Sequence, residues 1–263
     1  MVKGIYMLNL KDTTFIIPIR IESPSRAFNF RYVVQYLCDN LKTNIIIRES
    51  GIKNIAGRML SEIDKRQTHI IYNMEYTAAH ALHRTRLLNE MLAGVTTACV
   101  ANYDTDIILQ SEAYLQAQNR ILSGEADLVY PYFKGLSQKK VTPKKGSIFD
   151  VFSAPFEMGQ SDCGHCCFFN TEAYKEGGRE NENFIAYAPE DQERSMRFLK
   201  LGYKVMWLNN FVWHLEHERS VNSTEKNPYF WDGMNLYKAE SAMTEKELRE
   251  YCCKQEYIKK YGK

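Results

Sequence analysis

Short apolar runs rich in β-branched residues recur through the first hundred positions of the chain. The first run covers residues 13–20, and others follow at residues 44–48, 69–72 and 97–101. Runs of four to eight such residues, bounded by polar or turn residues, are typical of buried strands. The pattern therefore predicts four strands in this part of the chain.

Between these runs, apolar positions recur at helical spacing. Val33 and Leu37 belong to such a stretch over residues 26–41, and a second stretch over residues 80–93 ends at Gly94. Strands that alternate with helices indicate parallel βαβ units in an open, doubly wound sheet. We therefore predict an α/β fold built on a mostly parallel, Rossmann-like sheet.

The pattern becomes less regular after residue 106. Pro189 and Gly202 delimit one helix, and Thr244 with Glu247 forms a capping-box pattern at the start of another. The elements predicted for this half are a helix over 107–123, a strand over 127–131, a lysine-bearing loop over 137–147, a helix over 189–201, a strand over 203–208 and a C-terminal helix over 244–261.

Composition and charge exclude several classes of protein. The chain has 263 residues, 44% of them hydrophobic, which suffices for one large domain with or without an appendage. A net charge of +2 lacks the basic excess typical of nucleic-acid binding, so no nucleic-acid partner is expected. The N-terminus lacks a signal-peptide pattern, and no apolar stretch approaches a membrane span. We expect a cytoplasmic protein, at most peripheral to the inner membrane face, with reduced cysteines.

Polar side chains follow three of the predicted strands where each strand ends. Arg20 follows the first, Glu49 the second, and Asp104 and Asp106 the fourth. In open α/β sheets, ligands bind beyond the carboxyl ends of the strands. These side chains are therefore expected at one ligand site.

Three stretches of the chain carry a family likeness. The first ends in Pro18-Ile-Arg20, the second combines an Arg84-Thr-Arg-Leu-Leu-Asn89 helix with Asp104-Thr-Asp106, and the third spans residues 164–217. Together they resemble β-1,4-galactosyltransferases and their inverting GT-A relatives, and also family-2-like bacterial glycosyltransferases. The resemblance implies a GT-A domain over residues 1–228 and a C-terminal helical extension over 229–263. Within that domain it implies a nucleotide-binding part at about 13–110 and an acceptor and metal part at about 111–228.

The resemblance implies a donor site for a nucleotide sugar. Pro18 and Arg20 would border the nucleotide, Asp104 would bind the ribose or a metal-bound water, and Gly164 would back the donor sugar. Glu49 at the uracil or ribose, His165 at the sugar, and Arg84 and Arg86 at the uridine or diphosphate are further candidates, because an arginine fork suits phosphate.

A metal site is also implied. His214 and His217 lie three residues apart, close enough on a turn to reach one cation. By resemblance they join Asp106 and two phosphate oxygens around Mn²⁺ or Mg²⁺, and carboxylate with imidazole suits Mn²⁺. A cation there would neutralise the diphosphate that leaves from a UDP-sugar donor.

The acceptor side is implied by the Glu190-Asp191 pair, which opens a predicted helix. An inverting transferase needs a base for the acceptor hydroxyl, and Asp191 matches that base while Glu190 matches its acceptor-binding partner. Tyr187 stands where the family places an acceptor-stacking Trp, because residues 186–189 replace its Gly-Trp-Gly-Gly run.

The sequence thus predicts a metal-dependent enzyme that moves a hexose or N-acetylhexosamine, with galactose favoured, from a UDP-sugar to a glycan or lipid-linked acceptor. Two alternatives share the fold: a retaining GT-A transferase, and a non-catalytic module that binds nucleotide sugars or glycans. A third is a zinc-stabilised interaction protein that uses Cys163, Cys166, His214 and His217. Plain buried thiols are the other interpretation of residues 163–167.

Overall fold

The protein, described as a computed structural model over residues 7–143 and 149–261, contains two β-sheets and a set of surrounding helices. The strands are β1 (Leu8–Ile19), β2 (Leu41–Gly51), β3 (His69–Tyr76), β4 (Cys99–Tyr103), β5 (Ile107–Ile108), β6 (Leu128–Tyr130), β7 (Gly135–Val141), β8 (Glu157–Ser161), β9 (Cys166–Asn170), β10 (Val205–Trp207) and β11 (Val212–Leu215). The helices are α1 (Pro24–Asn40), α2 (Ala56–Leu60), α3 (Arg84–Leu92), α4 (Ser111–Leu122), α5 (Thr171–Glu176), α6 (Glu190–Lys200), α7 (Phe230–Ala242), α8 (Glu245–Lys254) and α9 (Glu256–Tyr261).

The larger sheet has seven strands in the order β10-β6-β9-β4-β1-β2-β3. Its strands run parallel except for β9, which pairs antiparallel with both β4 and β6. Successive strand residues point to opposite faces, and Phe15, Ile16 and Ile17 of β1 are all fully buried, so both faces are covered. Helices α3 and α4 both pack against β1. The predicted α/β fold with a mostly parallel sheet is confirmed.

The smaller sheet has four strands in the order β5-β11-β7-β8. It corrects two predictions. Residues 137–141 belong to β7 and not to a loop, because they pair with β11 on one side and β8 on the other. The Lys139 ammonium lies over the rings of Phe211 and Trp213 and is not simply solvated. The helix predicted from residue 107 begins at Ser111, because Ile107 and Ile108 pair with β11. Residues 144–147 of the predicted loop lie outside the described residues.

Two further helix predictions differ in their bounds. The helix predicted from residue 80 begins at Arg84, because the carbonyls of Ala79 and His80 accept hydrogen bonds from the Arg20 side chain. The C-terminal helix is interrupted at Gln255, whose backbone is extended. Its predicted capping box between Thr244 and Glu247 is confirmed.

The C-terminal helices are attached to the sheet domain through α6. Helix α7 packs on α6 and on the segment just before it, where a Cβ at Gly233 would lie 2.7 Å from Ala188 Cβ. Lys200 of α6 donates 2.7 Å hydrogen bonds to the carbonyls of Ser241 and Met243 at the end of α7. The predicted domain boundary at residue 228 stays a prediction. None of the helices in the described ranges is long and apolar enough to cross a bilayer.

Candidate active site

Asp106, His214 and His217 form a cluster at the carboxyl end of β4. One potential ligand atom from each residue lies within 4.8 Å of the others. His217 Nε2 lies 2.8 Å from Asp106 Oδ2, and His214 Nε2 lies 3.9 Å from the same oxygen. The three residues predicted to bind one metal are therefore brought together.

Pairing between the two short strands β5 and β11 creates this cluster. His214 pairs with Ile107, directly after Asp106, and the backbone N–H of Leu215 donates to the Asp106 carbonyl at 2.6 Å. This register carries both histidines to the acidic residue across more than one hundred positions of sequence. The smaller sheet is thus what completes the cluster.

The chemistry of the cluster fits a divalent cation. Burial lowers the pKa of His214 to about 4, so its imidazole is neutral at physiological pH, as a metal ligand must be. His217 Nδ1 lies 2.8 Å from the Glu218 carbonyl. If Nδ1 donates there, Nε2 turns a lone pair toward the Asp106 carboxylate, which is the arrangement that a shared cation stabilises. One oxygen and two nitrogen donors suit Mn²⁺ or a similar first-row ion.

Arg84 links Asp104, of the Asp104-Thr-Asp106 motif, to Asp191, the candidate base. Its Nη2 donates to Asp104 Oδ1 at 2.8 Å, and its Nη1 lies 3.8 Å from Asp191 Oδ1. Burial raises the pKa of Asp104, and the guanidinium of Arg84 opposes that effect. The backbone N–H of Asp104 donates to the His165 carbonyl at 3.0 Å. Arg84 therefore lies between the two predicted halves of the site.

Asp191 accepts a hydrogen bond from a buried arginine that is itself paired with a buried glutamate. Arg194 donates from Nη2 to Asp191 Oδ1 at 2.8 Å and from Nε to Glu180 Oε1 at 2.7 Å. The Glu180 side chain is 1% exposed and also accepts hydrogen bonds from Asn102 and Tyr174. Sequence reasoning missed Arg194 and Glu180. Only the three-residue spacing from Asp191 to Arg194 on one helix was a signal for the first of them.

Glu190 is buried at the start of α6 and lines the same cleft as Asp191. Burial, and then the negative charge of Asp191, raise the pKa of Glu190 to about 8. Its Oε2 accepts a hydrogen bond from the Ala188 backbone at 3.2 Å. Near neutral pH this carboxyl group is therefore largely protonated and able to donate a hydrogen bond.

Gly164 and His165 form the wall opposite α6. A Cβ at Gly164 would lie 3.2 Å from Asp191 Oδ2, so the glycine leaves room for that carboxylate. His165 has a backbone φ of 67°, and its ring centroid lies 5.8 Å from that of His214. Gln138 of β7 contacts the His165 ring, Nε2 to Nε2, at 3.2 Å. Gly164 and His165 therefore lie between the metal-binding cluster and Asp191.

Two neighbouring cavities open at this edge of the sheet. The cleft over the Asp106 cluster has a volume of about 280 Å³ and is lined by nearly all the predicted site residues: Pro18, Arg20, Arg84, Asp104, Asp106, Gly164, His165, Tyr187, Glu190, Asp191, His214 and His217. A second cavity of about 630 Å³ lies over the ends of β1 and β2 and is lined by Arg20, Glu49 and Ile52 among others. Arg20 and Glu22 border both cavities, which therefore adjoin.

Some predicted residues have other partners. Arg86 pairs with Glu75 and Glu90, each at 2.7 Å, and lines neither cavity. The Glu49 carboxylate accepts hydrogen bonds from the backbone of Ile55 and Ala56, at the start of α2. These hydrogen bonds give Glu49 a structural role at the start of α2. Its contact with a nucleotide stays a prediction.

The zinc alternative is wrong in its ligand set. Among the described residues, the cluster able to hold a metal unites His214 and His217 with Asp106, not with Cys163 or Cys166. All seven cysteines are free thiols, and burial raises the pKa of Cys163 to about 12, which disfavours the thiolate that a metal requires.

Two arginines that the sequence reasoning missed also line the cleft. Arg26 of α1 donates to Ser223 Oγ at 3.0 Å, and its buried Nε has no hydrogen-bond partner among the described residues. Arg219 lies near enough to His214 for its charge to lower that pKa further. Nothing in the local sequence distinguishes either arginine from a solvated one, because the fold alone brings them to the cluster.

Two solved structures are similar to the chain in fold. The chain is similar in structure to S. aureus TarS in complex with UDP-GlcNAc, with a TM-score of 0.57 and 12% identity over 91% of this chain and 70% of that one. It is also similar to the mannosyltransferase PcManGT from Pyrobaculum calidifontis in complex with GDP-Man and Mn²⁺, with a TM-score of 0.51 and 13% identity. That match covers 89% of this chain and 62% of the mannosyltransferase.

No protein-family model and no curated protein sequence matches the chain. At identities this low, the structural likeness establishes the fold, and the predicted GT-A fold is confirmed. The likeness to β-1,4-galactosyltransferases in particular is not confirmed and stays a prediction.

Proposed function

We propose that the chain is a metal-dependent glycosyltransferase that transfers a sugar from a nucleotide donor to a saccharide acceptor. One observation carries the proposal: a cation-binding cluster (Asp106, His214, His217) and a positioned carboxylate (Asp191) line the same cleft. Similar folds hold UDP-GlcNAc in TarS, and GDP-Man with Mn²⁺ in the mannosyltransferase. A donor diphosphate and an acceptor hydroxyl need these two features side by side.

The donor fits across the two adjoining cavities. The larger one, over the ends of β1 and β2, suits a nucleoside, and the cleft beside it suits the diphosphate and sugar. When bound, Mn²⁺ or Mg²⁺ supplies a Lewis acid for the negative charge that develops on the leaving diphosphate. Arg26 and Arg219 add fixed positive charge near the same place. We favour UDP as the nucleotide, with a hexose or N-acetylhexosamine, galactose-type first, as the sugar.

Asp191 fits the role of base in an inverting transfer. Its Oδ1 is engaged by Arg194 and approached by Arg84, whereas its Oδ2 faces the Gly164 side of the cleft. The acceptor oxygen would form a bond to the anomeric carbon as the bond from that carbon to the diphosphate oxygen breaks. The hydroxyl proton passes to Asp191 Oδ2. Glu190, protonated near neutral pH, would donate a hydrogen bond to the acceptor.

The test of donor and metal binding is a thermal-shift titration of UDP with and without Mn²⁺. At a UDP concentration one hundred times Kd, binding stabilises the folded state by about 2.7 kcal/mol. Asp106→Ala should abolish the Mn²⁺-dependent part of this stabilisation. Asp12→Ala, which removes an exposed carboxylate on β1 away from the cleft, should keep it. If UDP stabilises the protein equally with and without Mn²⁺, and equally in Asp106→Ala, the metal assignment is wrong.

The test of catalysis is sugar transfer by Asp191→Asn. The variant should keep UDP–Mn²⁺ binding and lose a factor of about 10²–10⁴ in turnover, the usual contribution of a general base. Inverted product stereochemistry by NMR would support Asp191 as base, whereas retained stereochemistry would indicate a retaining enzyme. Binding of UDP-sugars without transfer or donor hydrolysis would indicate the non-catalytic module instead.

A further inference from the structure

An exposed row of aromatic rings borders the acceptor side of the cleft. Tyr187, 41% exposed, lines the cleft, and its ring stacks nearly parallel on Phe230 with centroids 6.0 Å apart. Phe230 in turn contacts the ring of Trp231 edge-to-face at 5.3 Å. Trp231 is 66% exposed. We refer to Tyr187, Phe230 and Trp231 as the aromatic strip, in which one buried ring separates two exposed ones.

The strip is fixed relative to the candidate base. Asn227 donates to the Tyr187 carbonyl at 2.7 Å, and Gly233 of α7 packs against Ala188 with no room for a side chain. Tyr187 and Ala188 lead directly into Glu190 and Asp191. The position of the C-terminal helix α7 is therefore coupled to the reacting end of the site, and Trp231 keeps its place beside the cleft.

Exposure of these rings is unfavourable in water unless a ligand covers them. Burial of apolar surface contributes roughly 25 cal/mol per Å², and exposed apolar patches next to clefts usually mark binding sites. Tyr and Trp combine a large apolar face with a polar group, which suits partners that are themselves amphipathic. A pyranose ring is such a partner, because its face of C–H bonds carries partial positive charge and an aromatic face is negative.

Charge around the strip disfavours an anionic membrane as the partner. The exposed charged residues at the start of α7 and just before it are Glu225, Lys226 and Asp232, two acidic and one basic. Anionic lipid surfaces attract clusters of Lys and Arg, which this surface lacks. A neutral, ring-bearing ligand is the better match to the strip.

We propose that the aromatic strip is an extended acceptor subsite that stacks on pyranose rings of an oligosaccharide beyond the ring that reacts at Asp191. The proposal rests on the proposed transferase function and deepens it by naming the acceptor class. It assigns to the C-terminal helix α7 a part in acceptor selection, through Trp231. Substrates with a single sugar ring should reach Asp191 yet forgo the contact with Trp231.

The exposed tryptophan is its own reporter. Of the three tryptophans, Trp231 is largely exposed, Trp207 is half-buried and Trp213 is 5% exposed, so acrylamide quenching of fluorescence reports mainly on Trp231. The probes are cellotetraose, chitotetraose and maltotetraose. Sorbitol serves as a polyol without a ring, and phosphatidylglycerol vesicles test the membrane alternative. At least one tetrasaccharide should shield the fluorescence, at lower concentration than its monosaccharide, and sorbitol and vesicles should not.

Variants of Trp231 complete the test. By ligand-observed NMR, Trp231→Ala should weaken binding of the shielding tetrasaccharide at least tenfold, and Trp231→Tyr should restore most of it. Phe156→Ala removes a 46% exposed aromatic ring that does not line the cleft and should leave binding unchanged. The proposal is overturned if no tetrasaccharide shields Trp231, if sorbitol or vesicles shield it equally, or if Trp231→Ala binds like the wild type.

These outcomes are separable from those for the transferase itself. UDP–Mn²⁺ binding in Trp231→Ala should match the wild type, because Trp231 does not line either donor cavity. Tetrasaccharide shielding without any UDP binding would overturn the transferase and leave a glycan-binding surface. UDP binding and transfer without shielding would overturn the subsite alone.

Discussion

Arg194 and Asp191 form a 2.8 Å hydrogen bond between a guanidinium that is 1% exposed and a carboxylate that opens into the cleft. The opposite side of the same guanidinium is neutralised by Glu180, which is also buried. A buried charge pair of this kind is costly to break, because either partner left alone is an uncompensated charge. Arg194 is therefore suited to orient Asp191, and it does not itself line the cleft.

We expect Arg194→Met to destabilise the fold by about 3–5 kcal/mol, because it leaves Glu180 buried and unpaired. The double variant Arg194→Met with Glu180→Gln should recover much of that stability, since the amide oxygen still accepts from Asn102 and Tyr174. It should not recover transfer, because Asp191 remains unsupported. Urea unfolding and kcat, measured separately, check this, and recovery of both together would show that Arg194 has no positioning role.

Gly164→Ala should slow transfer while the fold survives. The added Cβ would lie 3.2 Å from Asp191 Oδ2, closer than most such contacts, so the carboxylate must shift. A misplacement of about 1 Å at a reacting group costs about 10²-fold in rate, so this smaller shift should lower turnover by less than that. Gly94→Ala is the matched control, because its Cβ would meet the Met91 carbonyl at an ordinary 3.5 Å away from the cleft. Equal turnover in the two variants would argue against this placement of Asp191.

Glu190→Gln should change how stability depends on pH. The folded-state pKa of Glu190, about 8, lies above its ordinary value of 4.5, so the folded protein retains a proton that the unfolded chain releases between these values. Wild-type stability therefore contains a contribution that is full below pH 4.5 and is lost as pH rises through about 8. Glutamine does not ionise. The free energy of unfolding of the variant should therefore rise relative to that of the wild type as pH increases through this window, by an amount on the order of a few kcal/mol. Urea unfolding at several pH values tests this, and a constant difference would contradict it.

Glu240→Gln should show the same pH signature without a catalytic effect. Glu240 of α7 is fully buried, and its pKa is raised to about 8 by burial and by the nearby Glu193 of α6. Glutamine keeps an oxygen to accept the 2.8 Å hydrogen bond from Asn181 and removes the repulsion with Glu193. The variant should gain stability relative to the wild type as pH rises from 4.5 to 8, with unchanged turnover. A lowered turnover in Glu240→Gln would contradict this and would mean that the anchoring of α7 controls the site.

Local sequence was sufficient where the decisive contacts are local. The β-branched run through Phe15, Ile16 and Ile17 specifies a buried strand, and Thr244 with Glu247 specifies a helix start, because the groups that stabilise these elements are a few residues apart. The strand ends also predicted that Arg20, Asp104 and Asp106 lie at one edge, since parallel strands deliver their carboxyl ends there, and the family resemblance supplied the other predicted residues that line the cleft.

Tertiary structure decided what depends on distant partners. The sheet that joins β5 to β11 brings His214 and His217 to Asp106. No local sequence pattern predicted that Lys139 belongs to one of the strands of this sheet. The same holds for Arg194, which is distinguishable from a solvated helix arginine only by the Glu180 behind it. A side chain's type limits which interactions it is able to make. Which partner it meets, and whether water is excluded there, is set by the packing of elements far apart in the chain.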